Sequence, residues 1–263
     1  MELEEFKEQC QVFIFSWRRV SENAKQLQKQ FSGLGLETFV INSDETENDN
    51  GLPNWVNIGE SGYMVQQYAK AKEVFDRTYF VELFADIYDV NAELIVERAC
   101  YVFSEYDCGV YAPNADYIEW NFDRKRLPKL ERNLYEVKNA ESLLSFIHKD
   151  VLAGLKLSPE KYRIGWGIDF LVCILASRQG KLVVRDYATT VRHPKGKGYS
   201  GSEARQEYEQ FVEDLGPEIA GLMKQWCSEA KELRKKKRKR RRRKRRLTHL
   251  VPELLRRLRN WSG

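Results

Sequence analysis

The first 114 residues alternate short apolar runs with segments of helical periodicity. Four runs are rich in β-branched and aromatic residues, which predicts strands: 12–17, 37–45, 78–86 and 108–114, with a further short strand at 55–60. Helical spacing follows the first run and places four apolar residues on one face: Val20, Ala24, Leu27 and Phe31. Further helices are predicted at 61–75 and 90–106. This alternation predicts an α/β sheet with parallel strands and crossover helices.

The pattern loosens beyond residue 114. Residues 124–133 are charged and predict a loop, whereas 140–155 mix the two periodicities and predict no single element. A strand with a glycine-bearing loop is predicted over 180–200. One long helix, or two helices interrupted at Gly216 and Pro217, is predicted over 202–233. We expect one domain over residues 1–233, followed by a separate tail.

Charge divides the chain at residue 234. The tail, residues 234–263, contains 16 Lys and Arg and one Glu, whereas residues 1–233 contain 28 basic and 38 acidic residues. The first 13 residues of the tail, 234–246, are all basic and cannot form a packed core. Its last part places Leu250, Leu254 and Leu258 on one helical face. We expect this basic tail to be helical or disordered.

Cysteine usage and hydropathy limit the cellular context. The five cysteines form no CxxC pair, which argues against a disulfide framework and a zinc site and favours free thiols in a reducing compartment. The first ten residues are acidic and lack the apolar region of a signal peptide. No apolar run approaches the ~20 residues of a membrane span. We therefore expect a cytoplasmic location.

Groups capable of chemistry stand at three predicted strand ends. Ser16 and Trp17 end the first run, Asp44 ends the second, and Asp86 ends the run TYFVELFAD. In open α/β sheets, ligands bind outside the carboxyl ends of the strands. Aromatic rings stack on nucleobases, and carboxylates bind ribose hydroxyls, Mg²⁺ or Mn²⁺. Because no GxGxxG follows the first strand and no GxxxxGK[ST] occurs, the remaining interpretation is a nucleoside-diphosphate site built from carboxylates and a metal.

Five segments in this order resemble the GT-A fold glycosyltransferases, over roughly residues 11–212: VFIFSW (12–17), INSDE (41–45), FAD (84–86), GWGIDF (165–170) and RDYATTVRHPKGKGY (185–199). The resemblance implies a Rossmann-type α/β/α sandwich. It implies an enzyme that transfers a sugar from a nucleoside diphosphate sugar, with a UDP-sugar favoured, to a hydroxyl. It also implies a divalent metal, Mn²⁺ or Mg²⁺. The chain is most similar to short bacteriophage-encoded members of the family.

The resemblance implies two metal residues. The segment FAD keeps only the last acid of the family's DxD motif, because Phe84 stands at its first position. Asp86 is therefore the implied metal ligand, and His193 would complete the metal sphere or bind the diphosphate. Asp89 would either compensate for the missing acid or, as favoured, cap the following helix.

Donor, acceptor and base roles follow from the same resemblance. The residues implied to bind the donor are Ser16, Trp17, Asp44, Lys195 and Lys197. Asp169 would be the general base of an inverting enzyme, unless it caps the helix that begins there. The residues implied to bind the acceptor are Asp116, Tyr117, Trp166 and Asp169. Arg185 and Asp186 are expected to form an internal ion pair with each other.

Three functions compete for the basic tail. It would neutralise nucleic-acid phosphates, bind an anionic membrane surface, or serve as a localisation signal. Its predicted contact residues are Arg238, Arg240, Arg241, Arg242 and Arg243. Because similar phage enzymes glycosylate hydroxymethylated pyrimidines, we predict a 5-hydroxymethylcytosine-type base in viral DNA as the acceptor, in the host cytoplasm. The alternatives are a membrane-associated enzyme of lipid-linked or surface glycan synthesis and a binding module without catalysis.

Overall fold

A computed structural model describes residues 1–47, 51–60, 62–117, 124, 127–194 and 200–229 of the chain. Within them, eight strands form one sheet: β1 (Cys10–Ser16), β2 (Glu37–Asn42), β3 (Trp55–Asn57), β4 (Tyr79–Phe84), β5 (Cys108–Ala115), β6 (Leu134–Glu136), β7 (Leu144–His148) and β8 (Leu182–Val191). The α-helices are α1 (Leu3–Glu8), α2 (Ser21–Gly33), α3 (Met64–Val74), α4 (Ala92–Glu105), α5 (Lys149–Ala153), α6 (Ile168–Arg178), α7 (Gly201–Asp214) and α8 (217–229). The basic tail and Lys195 and Lys197 lie outside the described residues.

The sheet is mixed rather than wholly parallel. Its strand order is β3-β2-β1-β4-β7-β5-β8-β6. Strands β3, β2, β1 and β4 run parallel to one another, and β8 runs parallel to β5. Strand β7 is antiparallel to both β4 and β5, and β6 is antiparallel to β8. The predicted parallel sheet is therefore confirmed for the first half and wrong at β7 and β6.

The two reversed strands lie where the sequence pattern was weakest. Residues Leu144 to Ile147 of β7 are buried on both faces of the sheet, so their sequence lacks the alternation of a half-exposed strand. Strand β6 has only three residues, too few to show a period. The predicted elements up to residue 115 are all present, and the helical break at Gly216 is confirmed by its φ of 82°.

Helices cover both faces of the sheet, which gives the expected three-layer sandwich. On one face, alternate residues of β1 such as Val12 and Ile14 pack with α1, α2 and α4. On the other face, Phe13 and Phe15 pack with α3, α5, α6 and α7. All five cysteines are free thiols, as expected. No helix among the described residues is long and apolar enough to cross a membrane.

The carboxyl ends of most strands lie at one edge of this sheet. Strands β1, β2, β4, β5 and β8 point the same way, so their carboxyl ends lie at a common edge. The chain leaves β1 for β2 on one side and later returns to β4 on the other side, which makes a topological switch point there. Helix α6 is joined to β8 by the short turn 179–181, so the chain reverses there and the amino end of α6 lies at the same edge as the carboxyl end of β8.

Arg185 and Asp186 point to opposite faces of the sheet, because neighbouring residues of a strand alternate. Asp186 is fully buried and accepts hydrogen bonds from Arg98 Nε at 2.6 Å, Tyr111 Oη at 3.2 Å and the Ala188 amide at 2.8 Å. The predicted Arg185–Asp186 ion pair is therefore wrong, and the partner of Asp186 is Arg98 from α4.

We expect Arg98→Gln to lower the free energy of unfolding by about 2–3 kcal/mol, because it removes the charged donor to a buried carboxylate. Urea denaturation at neutral pH measures this loss. The exposed Arg192, which pairs with the exposed Asp89, provides the control. Arg192→Gln should change stability by less than about 1 kcal/mol. Equal effects of the two substitutions would contradict the importance of the buried pair.

Candidate active site

The two predicted metal residues lie side by side at the switch point. Strand β4 ends at Phe84, and Asp86 lies in the turn that follows. Asp86 Oδ2 is 3.4 Å from His193 Nε2, and the two side chains are 27% and 18% exposed. Asp86 Oδ1 is buried and makes no hydrogen bond within the described part of the chain. The carboxylate thus has one oxygen beside an imidazole and another without a partner.

A short backbone bridge brings these two residues together. The Tyr88 amide donates to the Arg192 carbonyl at 2.8 Å, and the Arg192 amide donates to the Tyr88 carbonyl at 2.9 Å. Asp89 pairs with Arg192 Nε at 3.0 Å. The favoured prediction that Asp89 caps the next helix is wrong, because Asn91 is the N-cap and its side chain accepts from the Leu94 amide.

The turn that carries Asp86 is also held from α2. Asn23 Nδ2 donates to the carbonyls of Ala85 and Ile87, each at 2.7 Å. These two carbonyls flank Asp86 in sequence, so the amide of Asn23 fixes the backbone on both sides of it. The sequence did not predict this role of Asn23, because a polar residue in the first turns of a helix does not indicate a contact with a distant turn.

His193 is held by residues predicted to bind the acceptor. Its backbone amide donates to Asp116 Oδ1 at 2.9 Å, and its Nδ1 is 3.2 Å from the Tyr117 carbonyl oxygen. Because a carbonyl only accepts, this contact places the proton on Nδ1 and leaves Nε2 facing Asp86. Burial lowers the pKa of His193, but the hydrogen bond and charge of Asp86 outweigh burial and raise it overall. The structure therefore groups Asp116 and Tyr117 with His193.

The Asp86–His193 pair would supply two of the ligands of a divalent cation, which is fewer than such an ion needs. No cluster of three or more His, Cys, Asp or Glu side chains occurs within the described residues. A carboxylate with a buried, unpartnered oxygen beside an imidazole nitrogen offers two of the ligand types that first-row cations accept. Further ligands would come from a bound diphosphate or from water.

The predicted donor residues at the ends of β1 and β2 differ in accessibility. Ser16 is fully buried, and Asp44 is only 3% exposed, with its Oδ1 accepting from the amide and hydroxyl of Thr46 at 3.0 and 2.7 Å. Trp17 is half-buried, and its ring stands edge-on to Phe84 with a centroid distance of 6.1 Å. Of these three predicted contacts, Trp17 is the one with an accessible side chain, and Phe84 packs against it.

The two glycines of the GWG loop, residues 165–167, have left-handed backbone conformations. Gly165 and Gly167 have φ values of 76° and 96°, which L side chains rarely adopt. A Cβ on Gly167 would come within 2.8 Å of the Tyr208 ring and 3.0 Å of Met223 Cε. Gly167 is also the N-cap of α6, so the alternative role of Asp169 as a helix cap is wrong.

Helix α7 fastens the same loop. The carboxylate of Glu207 accepts from the backbone amides of Arg163, Ile164 and Gly165 at 2.9, 2.6 and 2.9 Å. No local sequence pattern predicts these hydrogen bonds of Glu207, because the loop and α7 are distant in sequence and meet only in the folded chain. Trp166 faces α7 across an open groove of about 440 Å³, lined also by Gly201, Ser202, Arg205, Gln206 and Glu209.

Asp169, the predicted base, is a desolvated carboxylate with a raised pKa. It is half-buried in the first turn of α6, and its Oδ2 accepts from Asn139 Nδ2 at 3.4 Å. Desolvation raises its pKa to about 6, although the helix amides, Asn139 and the charge of Arg185 lower it. A carboxylate with this pKa is ionised at neutral pH and is more basic than an ordinary aspartate.

One segment, residues 139–143, spans the space between Asp169 and the Asp86–His193 pair. At its start, Asn139 contacts Asp169. In its middle, the negative charge of Glu141 contributes to the raised pKa of His193. At its end, the Leu143 carbonyl accepts from the Phe84 amide at 2.8 Å. This bridging segment therefore joins the two predicted halves of the site along the common edge of the sheet.

A second carboxyl group lies in the sheet close to Asp169. Glu82 of β4 is 2% exposed, and its Oε1 accepts from Ser145 Oγ of the adjacent β7. Burial raises its pKa to about 8, against smaller lowering effects of Ser145 and Ser142, and the charge of Asp169 raises it further. Glu82 is thus mainly a neutral acid at pH 7. The sequence alone predicted no role for Glu82.

Comparison with solved structures confirms the fold. No protein-family model and no curated protein sequence matches the chain. GalNAc-T7 with UDP, GalNAc and Mn²⁺ superposes with a TM-score of 0.50 and 12% identity, over 73% of this chain and 44% of that chain. Glucosyl-3-phosphoglycerate synthase from Mycobacterium tuberculosis, with Mg²⁺ and UDP, gives 0.51 and 9%, over 78% of each chain.

The chain therefore spans less than half the length of the GalNAc-T7 chain. Both solved proteins are GT-A fold glycosyltransferases, and the eight-stranded sheet with helices on both faces shares their fold. At these levels of identity the similarity establishes the architecture.

We expect Glu82→Gln to raise the melting temperature at pH 9 by about 3–10 °C. The folded-state pKa of Glu82, about 8, exceeds the ordinary value of 4.5, so folding favours the protonated acid. Its stabilising contribution is complete below about pH 4.5 and is lost as the pH rises towards 8. Calorimetry from pH 5 to 9 measures the effect. The exposed Glu93→Gln is the control, and identical pH profiles for the two variants would contradict the assignment.

Proposed function

We propose that this chain of GT-A fold is a glycosyltransferase that moves a sugar from a UDP-sugar to a hydroxyl acceptor with the help of a divalent metal. The observation that carries the proposal is the convergence of Asp86, His193 and Asp169 on one sheet edge, joined by the bridging segment. The UDP and Mn²⁺ or Mg²⁺ in the two solved structures of the same fold support the choice of donor and metal.

In the donor half, Asp86 and His193 would hold the cation. A bound cation offsets the negative charge of the diphosphate leaving group. Trp17 offers the accessible aromatic face for the nucleobase at the end of β1. We assign Lys195 and Lys197, from the sequence alone, to the same leaving group, where positive charges stabilise the departing diphosphate.

In the acceptor half, Asp169 takes the proton from the acceptor hydroxyl as that oxygen attacks the anomeric carbon. Its raised pKa of about 6 lets it act as a base near neutral pH. Transfer by a single direct attack inverts the configuration at the anomeric carbon. Trp166 and Arg205, which face each other across the groove beside the GWG loop, offer a stacking surface and a positive charge to the acceptor.

The basic tail supports a polyanionic acceptor, because it is attached on the acceptor side. Lys138 pairs with Glu229 and lies 5.6 Å from the Trp226 ring centroid. Lys138 directly precedes Asn139, which contacts Asp169. The 13-residue basic run begins five residues after Glu229 in the sequence. We therefore propose that the run brings bound phosphates to the acceptor half of the site.

We infer that the acceptor is DNA with hydroxymethylated pyrimidines, as in the phage enzymes that the sequence resembles. The hydroxymethyl oxygen would be the nucleophile, and the target base would leave the duplex stack to reach Asp169. Because residues 1–233 contain 28 basic and 38 acidic residues, the acidic body by itself repels a polyanion, and the tail would supply the attraction.

A second candidate acceptor is a glycan precursor at a membrane. In the sequence after the basic run, Leu250, Leu254 and Leu258 have the spacing that would place them on one face of a helix, and Trp261 follows them. Basic segments followed by amphipathic ones bind anionic lipid surfaces, where Trp favours the interface. Flotation with anionic liposomes distinguishes this function from DNA modification.

The function is tested by incubation with hydroxymethylcytosine-containing DNA and a panel of UDP-sugars, followed by mass analysis of the nucleosides. We propose that one donor adds the mass of a sugar residue to the modified nucleoside. Unmodified DNA is the control. No mass shift with any donor, together with turnover of a glycan acceptor, would replace DNA by the second candidate.

We expect Asp86→Asn to weaken Mn²⁺-dependent UDP binding by about 100-fold or more, since it replaces a direct ligand rather than an outer-shell group. Isothermal titration with Mn²⁺ and UDP measures the loss independently of turnover. Asp76→Asn is the matched control, because Asp76 is 73% exposed and precedes β4 at the opposite edge of the sheet. Unchanged UDP binding by Asp86→Asn would remove Asp86 from the donor site.

We expect the full-length chain with glutamine at Arg238, Arg240, Arg241, Arg242 and Arg243 to bind DNA more weakly and with less salt dependence. Five lost phosphate contacts would reduce the slope of log K against log salt by up to about 4.5. Fluorescence anisotropy over a salt series measures it. The control carries serine at Leu250, Leu254 and Leu258, which should lose liposome binding instead. An unchanged slope would eliminate these arginines as phosphate contacts.

A further inference from the structure

Four buried polar side chains lie next to Asp169 on the α6-facing side of the sheet: Glu82, Asn139, Ser145 and Arg185. Each is at most 2% exposed. Three of them contain an atom without a hydrogen bond within the described residues, namely Glu82 Oε2, Asn139 Oδ1 and Arg185 Nη1. Buried polar atoms are usually paired, because an unpaired one costs free energy. This buried polar cluster therefore lowers the stability of the fold, which indicates that its residues have a functional role.

Arg185 is the member of the cluster whose burial costs the most free energy, because it is charged. Its Nη2 donates to the Asn139 carbonyl at 3.0 Å, and its Nη1 makes no hydrogen bond. Its neighbour Asp186 faces the other side of the sheet and pairs with Arg98. Within the described part of the chain Arg185 forms no ion pair, whereas buried charges are normally paired. Its positive charge acts on Asp169.

Asn139 connects this guanidinium to Asp169. Its carbonyl accepts from Arg185, and its Nδ2 donates to Asp169 Oδ2 at 3.4 Å. The following residue, Ala140, donates its amide to Cys173 Sγ at 3.3 Å, which ties the segment to the same helix that carries Asp169. Asn139 is therefore fixed from two sides, and its side chain amide restrains the rotation of the Asp169 carboxylate.

Three further titratable groups among the described residues interact with Asp169, and all three are neutral at pH 7. Glu82 from β4 has a pKa raised by burial to about 8. Burial raises the pKa of Cys173 on α6 to about 12, and burial also raises the pKa of Tyr208 on α7 above its ordinary value. Arg185 is thus the only one of these groups that is charged, so no neighbour among them cancels its effect on Asp169.

We propose that Asn139 and Arg185 are positioning residues for Asp169. Asn139 orients the carboxylate through its side chain amide, and the charge of Arg185, held on the Asn139 carbonyl, adds to the groups that favour the ionised carboxylate. The importance of this arrangement for turnover rests on the proposed function of Asp169 as the base. The electrostatic effect on Asp169 itself is independent of any reaction.

The direction of the effect on pH dependence follows from the charge. A base works only when deprotonated, so its pKa sets the acidic limb of the kcat–pH profile. Removal of a nearby positive charge favours the protonated carboxyl and raises that pKa. The acidic limb must then move to higher pH.

The experiment compares Arg185→Gln, Arg185→Lys and Asn139→Ala with wild type in the full-length chain. The pKa of the Asp169 carboxyl is measured by carbon-detected NMR, and kcat and the donor KM are measured against pH. We expect Arg185→Gln to raise both the NMR pKa and the acidic limb, by less than the loss of Asn139 does, and Arg185→Lys to restore most of the shift. Asn139→Ala should raise the pKa and lower kcat about tenfold through lost orientation, with the donor KM unchanged.

Arg98→Gln is the matched control, because it removes a guanidinium that pairs with a buried carboxylate on the opposite face of the sheet. It should lower the melting temperature without moving the pKa of Asp169. An unchanged Asp169 pKa in folded Arg185→Gln overturns the proposal. If that variant does not fold, an unchanged pKa in Asn139→Ala overturns it instead. Retained activity in Asp169→Asn, together with the expected NMR shifts, would refute the base and leave the positioning intact.

Discussion

The candidate site depends on the common direction of β1, β2, β4, β5 and β8. Because these strands end at one edge, residues distant in sequence meet there without long excursions of the chain. The bridge between Tyr88 and Arg192 then joins the turn after β4 to the end of β8, and so sets Asp86 beside His193. The bridging segment 139–143 extends the same edge to Asp169. Strand direction thus determines which side chains can cooperate.

Asp186 and Arg185 are neighbouring buried residues of β8, and they differ in how their charges are paired. Asp186 has three donors, including a guanidinium, and contributes to the stability of the sandwich. Arg185, on the other face, has a backbone carbonyl as its acceptor and an unpartnered Nη1. An arrangement that is unfavourable for folding but acts on an adjacent carboxylate is typical of functional sites, where pKa values are shifted by burial and charge.

The sequence predicted the main residues of the site but not the side chains that hold them. The resemblance predicts Asp86 and His193 as metal residues, and the structure places their side chains in contact. Asn23 and Glu207 were missed, because each acts on a backbone segment far away in sequence. Ser16 and Asp44 were assigned to the donor, but their burial became visible only in the folded chain. The position of a residue at the end of a strand predicts where it lies in the sheet, but it does not predict whether its side chain is accessible.

Local pattern alone determined the alternating elements up to residue 115, the break at Gly216 and the separation of an acidic body from a basic tail, since periodicity, backbone preference and charge are properties of neighbouring residues. Only the tertiary structure decided the reversal of β7, the opposite faces of Arg185 and Asp186, and the raised pKa of Asp169. Those features depend on pairing, on side chain direction and on desolvation, which arise when distant segments pack together.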